Sequence, residues 1–117
     1  MPEARNTAKI NALMESLMGV YVVAQIRIHD REAYARYETG FMEIFAQYGG
    51  EMLAVDEAPV TLEGQWDHTR TVIIRFNSSA DARAWYDSDA YQDLAQHRWE
   101  GSTADIAIVA GLPADPV

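Results

Sequence analysis

Few residues of this chain are equipped for chemistry, and none falls in a ready-made catalytic spacing. Glu63 precedes Gly64 and lies three positions before Trp66. A carboxylate held against an aromatic wall resists ionisation, and a carboxyl of raised pKa serves as a general acid or base. The same carboxylate would equally make an ion pair with Arg70 or Arg98 and fix its loop. His97 follows Asp93 by four residues, the spacing that places two side chains on one helix face. An aspartate can orient an imidazole for proton transfer, although such a pair also suits a solvated surface. Tyr21, Gln25 and Arg27 alternate along one run, and Arg75 holds the matching parity in another. With Trp66 they would line a pocket for a small aromatic or anionic organic molecule, the arginines holding the anion. Read structurally, Arg27 and Arg75 instead pair with acids across a subunit interface or reach solvent at the strand ends.

Composition removes several classes of function. There is no cysteine, so disulfides, thiolate zinc sites and a cysteine nucleophile are out of reach. No two histidines stand at metal-binding spacing, and no metal site is expected. A phosphate-binding glycine loop, a nucleophile elbow and a dinucleotide fingerprint are all missing from the sequence, so no cofactor is expected. Haem would need an axial ligand, for which only His97 is expected on a helix, and haem is not expected. The net charge is −9, with Lys9 the single lysine. Such a surface repels phosphate backbones and anionic bilayers, so neither nucleic acid nor membrane is an expected partner. No apolar run approaches the roughly 18 residues that span a bilayer. Asn11, Glu15 and Ser16 interrupt the stretch that could pass for a signal peptide. A soluble, cytoplasmic protein is expected, consistent with the lack of cysteine.

The elements that must position these residues follow from periodicity. Ile10, Leu13, Met14, Leu17 and Met18 mark an amphipathic helix, so residues 1–19 read as a helical extension. Residues 20–28 alternate as a strand, with Val20, Val22, Ala24, Ile26 and Ile28 on one face. Asp30 is placed to cap a helix whose stripe runs through Tyr34, Tyr37, Phe41, Ile44, Phe45 and Tyr48, and Gly49-Gly50 ends it. A strand is expected at 51–56, residues 60–66 read as extended with a short extra strand as one option, and a third strand is expected at 70–76. Ser78 and Ser88 cap two successive helices, the first burying Ala82, Trp85 and Tyr86. Tyr91, Leu94, Ala95 and Arg98 share one side of the second. A last strand carries Ile106 and Ile108, and residues 113–117 form a tail.

After the first helix the order is β-α-β-β-α-β, the pattern of a ferredoxin-like α+β domain over residues 20–112. Its helices cover one face of the sheet. The other face would expose Tyr21, Val23, Ile73, Ala107 and Val109, and a second copy of the same sheet is the simplest cover. A homodimer is therefore expected, and the N-terminal helix would allow a tetramer.

A set of local motifs sharpens this. The strand Tyr21-Val22-Val23-Ala24, the aromatic helix ending in Tyr48-Gly49-Gly50 and the segment Leu62-Glu63-Gly64-Gln65-Trp66 occur in that order. Phe76-Asn77-Ser78 then leads to Ala84-Trp85-Tyr86-Asp87-Ser88 and Tyr91. In this arrangement the chain resembles the bacterial domain-of-unknown-function family thirteen-thirty, within the dimeric α+β-barrel superfamily. Glu51 and Asn77 depart from the family pattern, which often has a basic residue and a proline there. The resemblance implies a fold and a dimer but no reaction. More distant members of the superfamily include cofactor-free monooxygenases of aromatic substrates, lactone isomerases and haem-binding enzymes. Two functions follow as expectations. One is a cofactor-independent enzyme using Glu63 or His97 for proton chemistry. The other is a non-catalytic dimeric module that binds a small molecule or is simply packed.

Overall fold

A computed structural model describes residues 19–112. The amphipathic helix read within residues 1–19, with the tetramer it would support, and the tail at 113–117 lie outside the described residues. Strand β1 (Val20–Ile28) leads to helix α1 (Arg31–Phe45) and a short helical turn at Ala46–Tyr48. Strands β2 (Glu51–Asp56) and β3 (Arg70–Phe76) follow. Helices α2 (Ser79–Tyr86) and α3 (Asp89–Gly101) then lead into β4 (Ser102–Ala110). The sheet order is β2-β3-β1-β4, antiparallel throughout, which is the ferredoxin-like α+β arrangement.

Local chemistry sets the element ends. The Asp30 carboxylate accepts from the backbone N–H groups of Glu32 and Ala33, satisfying two orphan donors of α1. Ser78 and Ser88 do the same for α2 and α3 through Asp81 and Tyr91. Gly49 takes φ 71° and turns the chain out of the helical turn, where a side chain would be strained.

The β1 alternation places Val22, Ala24 and Ile26 beneath the helices, where they meet Ile74 and Phe76 of β3. Above them the aromatic residues interlock. The Trp85 ring lies 4.3 Å from Tyr91 and 5.6 Å from Phe76, and Phe45 stacks on Phe41 at 5.1 Å. Burying each such ring contributes about 2 kcal/mol. At the edge, β2 shifts register between Met52 and Ala54, so Met52 opposes Ile74 and Val55 opposes Val72. Both partners belong to the helix-facing set. The bulge thus turns two residues at a spacing of three toward the same side, which an unbroken strand cannot do.

Of the two options for the extended segment at 60–66, the short extra strand does not form. Residues 57–69 make one loop with bends at 62–64 and no ladder partner. It is pinned at its ends instead. Glu57 accepts from Arg31 at 2.9 Å and Arg70 at 3.3 Å. Thr69 accepts from the Ile28 backbone N–H at 2.7 Å and donates its own backbone N–H to Ile26 at 2.8 Å. The apolar side chains of Val60 and Leu62, which suggested a strand, stand in solvent.

Gly101 is where backbone approaches backbone most closely among the described glycines. Its carbonyl accepts from the backbone N–H groups of His29 and Asp30. A Cβ there would lie 2.7 Å from the Asp30 carbonyl and 2.8 Å from the Tyr34 nitrogen, both backbone atoms. A Cβ on Gly49 meets nothing and costs only its φ, about 1 kcal/mol. Gly101→Ala should therefore lower the urea midpoint by clearly more than Gly49→Ala, and equal losses would contradict this account of the join.

Candidate functional site

The helices do not fill the space over the sheet. A cavity of about 190 Å³ remains between the helix-facing side of the sheet and α1, α2 and α3. Its floor is Val22, Ala24, Ile26, Val72, Ile74 and Ile106, and Phe41 and Trp85 form walls. Met42, 54% exposed, and Met52, 36% exposed, stand at its lips between α1 and β2. An apolar cavity of about 150 Å³ holds benzene, so this one is sized for a single ring with a small substituent and too small for a drug-sized molecule.

Five polar residues line this apolar space: Tyr37, Glu38, Arg70, Tyr91 and Arg98. The Tyr37 and Tyr91 hydroxyls are buried and hydrogen-bonded to each other at 2.7 Å. Burial, followed by the neighbouring Tyr91, pushes the Tyr37 phenol well above its ordinary value. It is therefore a proton donor at neutral pH and not a base. Two hydroxyls carry two protons, and their mutual bond uses one, so one proton is left to donate elsewhere.

The two arginines differ. Arg70 sits at the helix-facing end of β3, over the Tyr34 ring at 5.6 Å. Glu57 at 3.3 Å and Glu38 at 3.6 Å neutralise it. Arg98 is 4% exposed, with its guanidinium carbon 5.7 Å from the centre of the Tyr37 ring and Tyr91 beside it. None of the ion pairs among the described residues includes Arg98. Burial opposes its charge, but Tyr91 and Tyr37 more than offset this and hold it protonated.

None of the seven residues singled out from sequence lines this cavity. Gln25, Arg27 and Trp66 gather at one end of the uncovered sheet face. Arg27 is paired there with Asp67 at 3.0 Å, and the Trp66 indole N–H donates to Thr71 at 3.3 Å. Tyr21 and Arg75 face each other at the opposite end, about 20 Å away by strand rise. Arg75 donates to Asn77 at 3.0 Å and lies against Gly19. Glu63 is exposed and shares a shallow loop groove with Trp66 and Leu62, joining no ion pair with Arg70 or Arg98. His97 is half-buried on α3, on the helix side, and makes no ion pair with Asp93.

Sequence reasoning passed over Tyr37, Tyr91 and Arg98 as site residues because all three fall on core stripes. The signal was present nonetheless: Arg98 continues the Tyr91, Leu94, Ala95 face of α3, where a charge is out of place. His68 was passed over too. Its imidazole is mostly buried on the uncovered face, 3.6 Å from Asp105 and against the Trp66 ring.

The architecture is that of the ferredoxin-like α+β domains, here with a small cavity between sheet and helices. Residues 19–112 match the family described as Domain of unknown function (DUF1330), and the chain belongs to it. No protein of curated function matches the sequence. Among solved structures, a protein of unknown function from Rhodopseudomonas palustris is 18% identical, with 92% of this chain and 94% of that chain covered and a TM-score of 0.67. SnoaB, a cofactor-independent oxygenase from Streptomyces nogalater, is 15% identical, with 86% and 99% covered and a TM-score of 0.56. A nipsnap family protein of unknown function from Agrobacterium tumefaciens is 16% identical, with 86% and 94% covered and the same TM-score of 0.56. At these identities the likeness is one of fold. No helix among the described residues is long and apolar enough to cross a membrane.

Tyr37 gives a pH prediction. Below its ordinary value of 10.0 the phenol is protonated in both folded and unfolded chains. Above that value the unfolded chain releases the proton while the folded one keeps it, so stability falls as pH rises. Thermal midpoints should drop between about pH 9 and about pH 11, more gently in Tyr37→Phe. That variant should also lose about 1 kcal/mol at neutral pH by orphaning the Tyr91 hydroxyl. An unchanged slope would show that Tyr37 ionises as freely folded as unfolded.

Proposed function

We propose that this protein binds a small aromatic molecule in the cavity between sheet and helices and acts on it without a cofactor. The observation that carries the reading is the buried Tyr37–Tyr91 hydroxyl pair set in an otherwise apolar, ring-lined space that opens to solvent between Met42 and Met52. A hydroxyl with one uncommitted proton can bond an oxygen of the bound ring, and gains strength if that oxygen becomes anionic during reaction. The fold shared with SnoaB, a cofactor-independent oxygenase, supports the catalytic half of the reading. The proton roles expected of Glu63 and His97 would have to be exercised outside this cavity. A binding module without catalysis is the second reading, favoured by the way the two hydroxyls satisfy each other.

The same reading takes the protein to be a homodimer. Tyr21, Val23 and Ile73 lie half-buried on the uncovered sheet face, and Ala107 and Val109 lie exposed beside them. A second sheet of the same kind would cover them.

Two measurements test this. Isothermal titration with phenol, catechol and benzyl alcohol should show one site per chain. Ala24→Leu, which fills part of the cavity floor, should abolish the binding while leaving the circular dichroism spectrum unchanged. Binding that survives Ala24→Leu would move the site elsewhere. Mass spectrometry of the bound aromatic after aerobic incubation separates the two readings, since an unaltered ligand favours the binding module. Native mass spectrometry should give twice the chain mass for the wild type and the single mass for Val23→Lys. A monomeric wild type would end the facing-sheet reading.

A further inference from the structure

The polar atoms around the cavity are unbalanced in kind. Among the residues that line it, three buried nitrogens have no hydrogen-bond partner: Trp85 Nε1, Arg70 Nε and Arg98 Nε. All three are N–H donors, and among the described residues that line the cavity no buried side-chain acceptor is left without a partner. Buried polar groups in native proteins are nearly always satisfied, so an excess of one kind at a cavity describes the group that is to fill it. Here that group is rich in acceptors.

Charge narrows it further. Arg70 already has Glu57 and Glu38 within 4 Å, whereas Arg98, more deeply buried, has no carboxylate among the described residues. A buried guanidinium without a counter-ion is costly, and the Tyr37 ring face offsets only part of that cost. One uncompensated positive charge calls for one negative charge. A planar guanidinium matches a carboxylate through two parallel hydrogen bonds.

We infer that the ligand of this cavity is an aromatic monocarboxylate of about benzoate size, its carboxylate anchored on the Arg98 guanidinium and its ring over the apolar floor. This rests on the reading of the cavity as the ligand site and adds the chemical class. Arg98 and the tyrosine pair then share the anion, because the uncommitted hydroxyl proton has an oxygen to meet.

The test pairs benzoate with neutral, isosteric benzamide, titrated calorimetrically into the full chain at neutral pH. Wild type should bind benzoate at least about tenfold more tightly than benzamide, the difference expected of a charge-assisted bond. Arg98→Met should erase that preference and leave benzamide binding in place, and Arg98→Lys should keep part of it. Equal affinities of wild type for the two ligands would overturn the anchor while the cavity reading stood. Binding of neither, with Ala24→Leu indistinguishable from wild type, would overturn both. Should Arg98→Met fail to fold, the wild-type ratio decides alone, with Arg98→Lys as the charged control.

Discussion

A guanidinium enclosed by tyrosines is the constraint around which this fold is arranged. Arg98 is placed by α3, faces the ring of Tyr37 on α1 and touches the neighbourhood of Tyr91, so one charge ties two helices together over the sheet. Moving an ion out of water costs several kcal/mol even after relaxation, and a desolvated cation–π contact returns about 2 kcal/mol. The cavity lies beside that charge, with Arg98, Tyr37 and Tyr91 all among its lining residues. The cavity and the buried cation belong together physically.

The sheet divides the labour. Its helix side holds the aromatic core and the cavity, and its other side mixes apolar residues such as Val23 and Ile73 with polar ones, Arg27, Trp66 and Arg75, whose side chains are hydrogen-bonded. Arg27 is committed to Asp67 and Trp66 to Thr71, so the long loop at 57–69 is fastened to that face by side chains and not by strand pairing. Fastening of this sort leaves the loop backbone free of a ladder, which is why its apolar residues can stand exposed without forming a strand.

The fold was legible in the sequence wherever one short-range rule governed. The β1 alternation, the Asp30, Ser78 and Ser88 caps and the Gly49 turn all depend on neighbours a few positions apart, and each is found where the spacing placed it. Residues 60–66 misled because Val60 and Leu62 have strand-like propensity, and propensity is decided by whether an edge is available to pair. Here the segment lies in the connection between β2 and β3 and pairs with neither. The site was hidden for a different reason. A cavity is a failure of distant side chains to meet, and no periodicity reports it. Alternation did assign Gln25, Arg27 and Arg75 to the uncovered face, and strand rise alone already sets Tyr21 and Arg27 at opposite ends of it, yet neither could report the cavity on the other face. The one local clue, an arginine on the inward stripe of α3, reads as noise until its lack of a carboxylate is known.

Strand β2 has a further consequence. It is the outermost strand on its side, every one of its residues is exposed, and its ladder to β3 is broken at Leu53. Such a segment sits at the low end of the range of local opening free energies, well below the value for the sheet centre. Met52 lies on it and forms one lip of the cavity. Each transient detachment of β2 is thus also a widening of the cavity mouth, on the same event that exposes its amide hydrogens to exchange. If the cavity is the ligand site proposed above, uptake would be tied to the fraying of a strand, with no dedicated lid required.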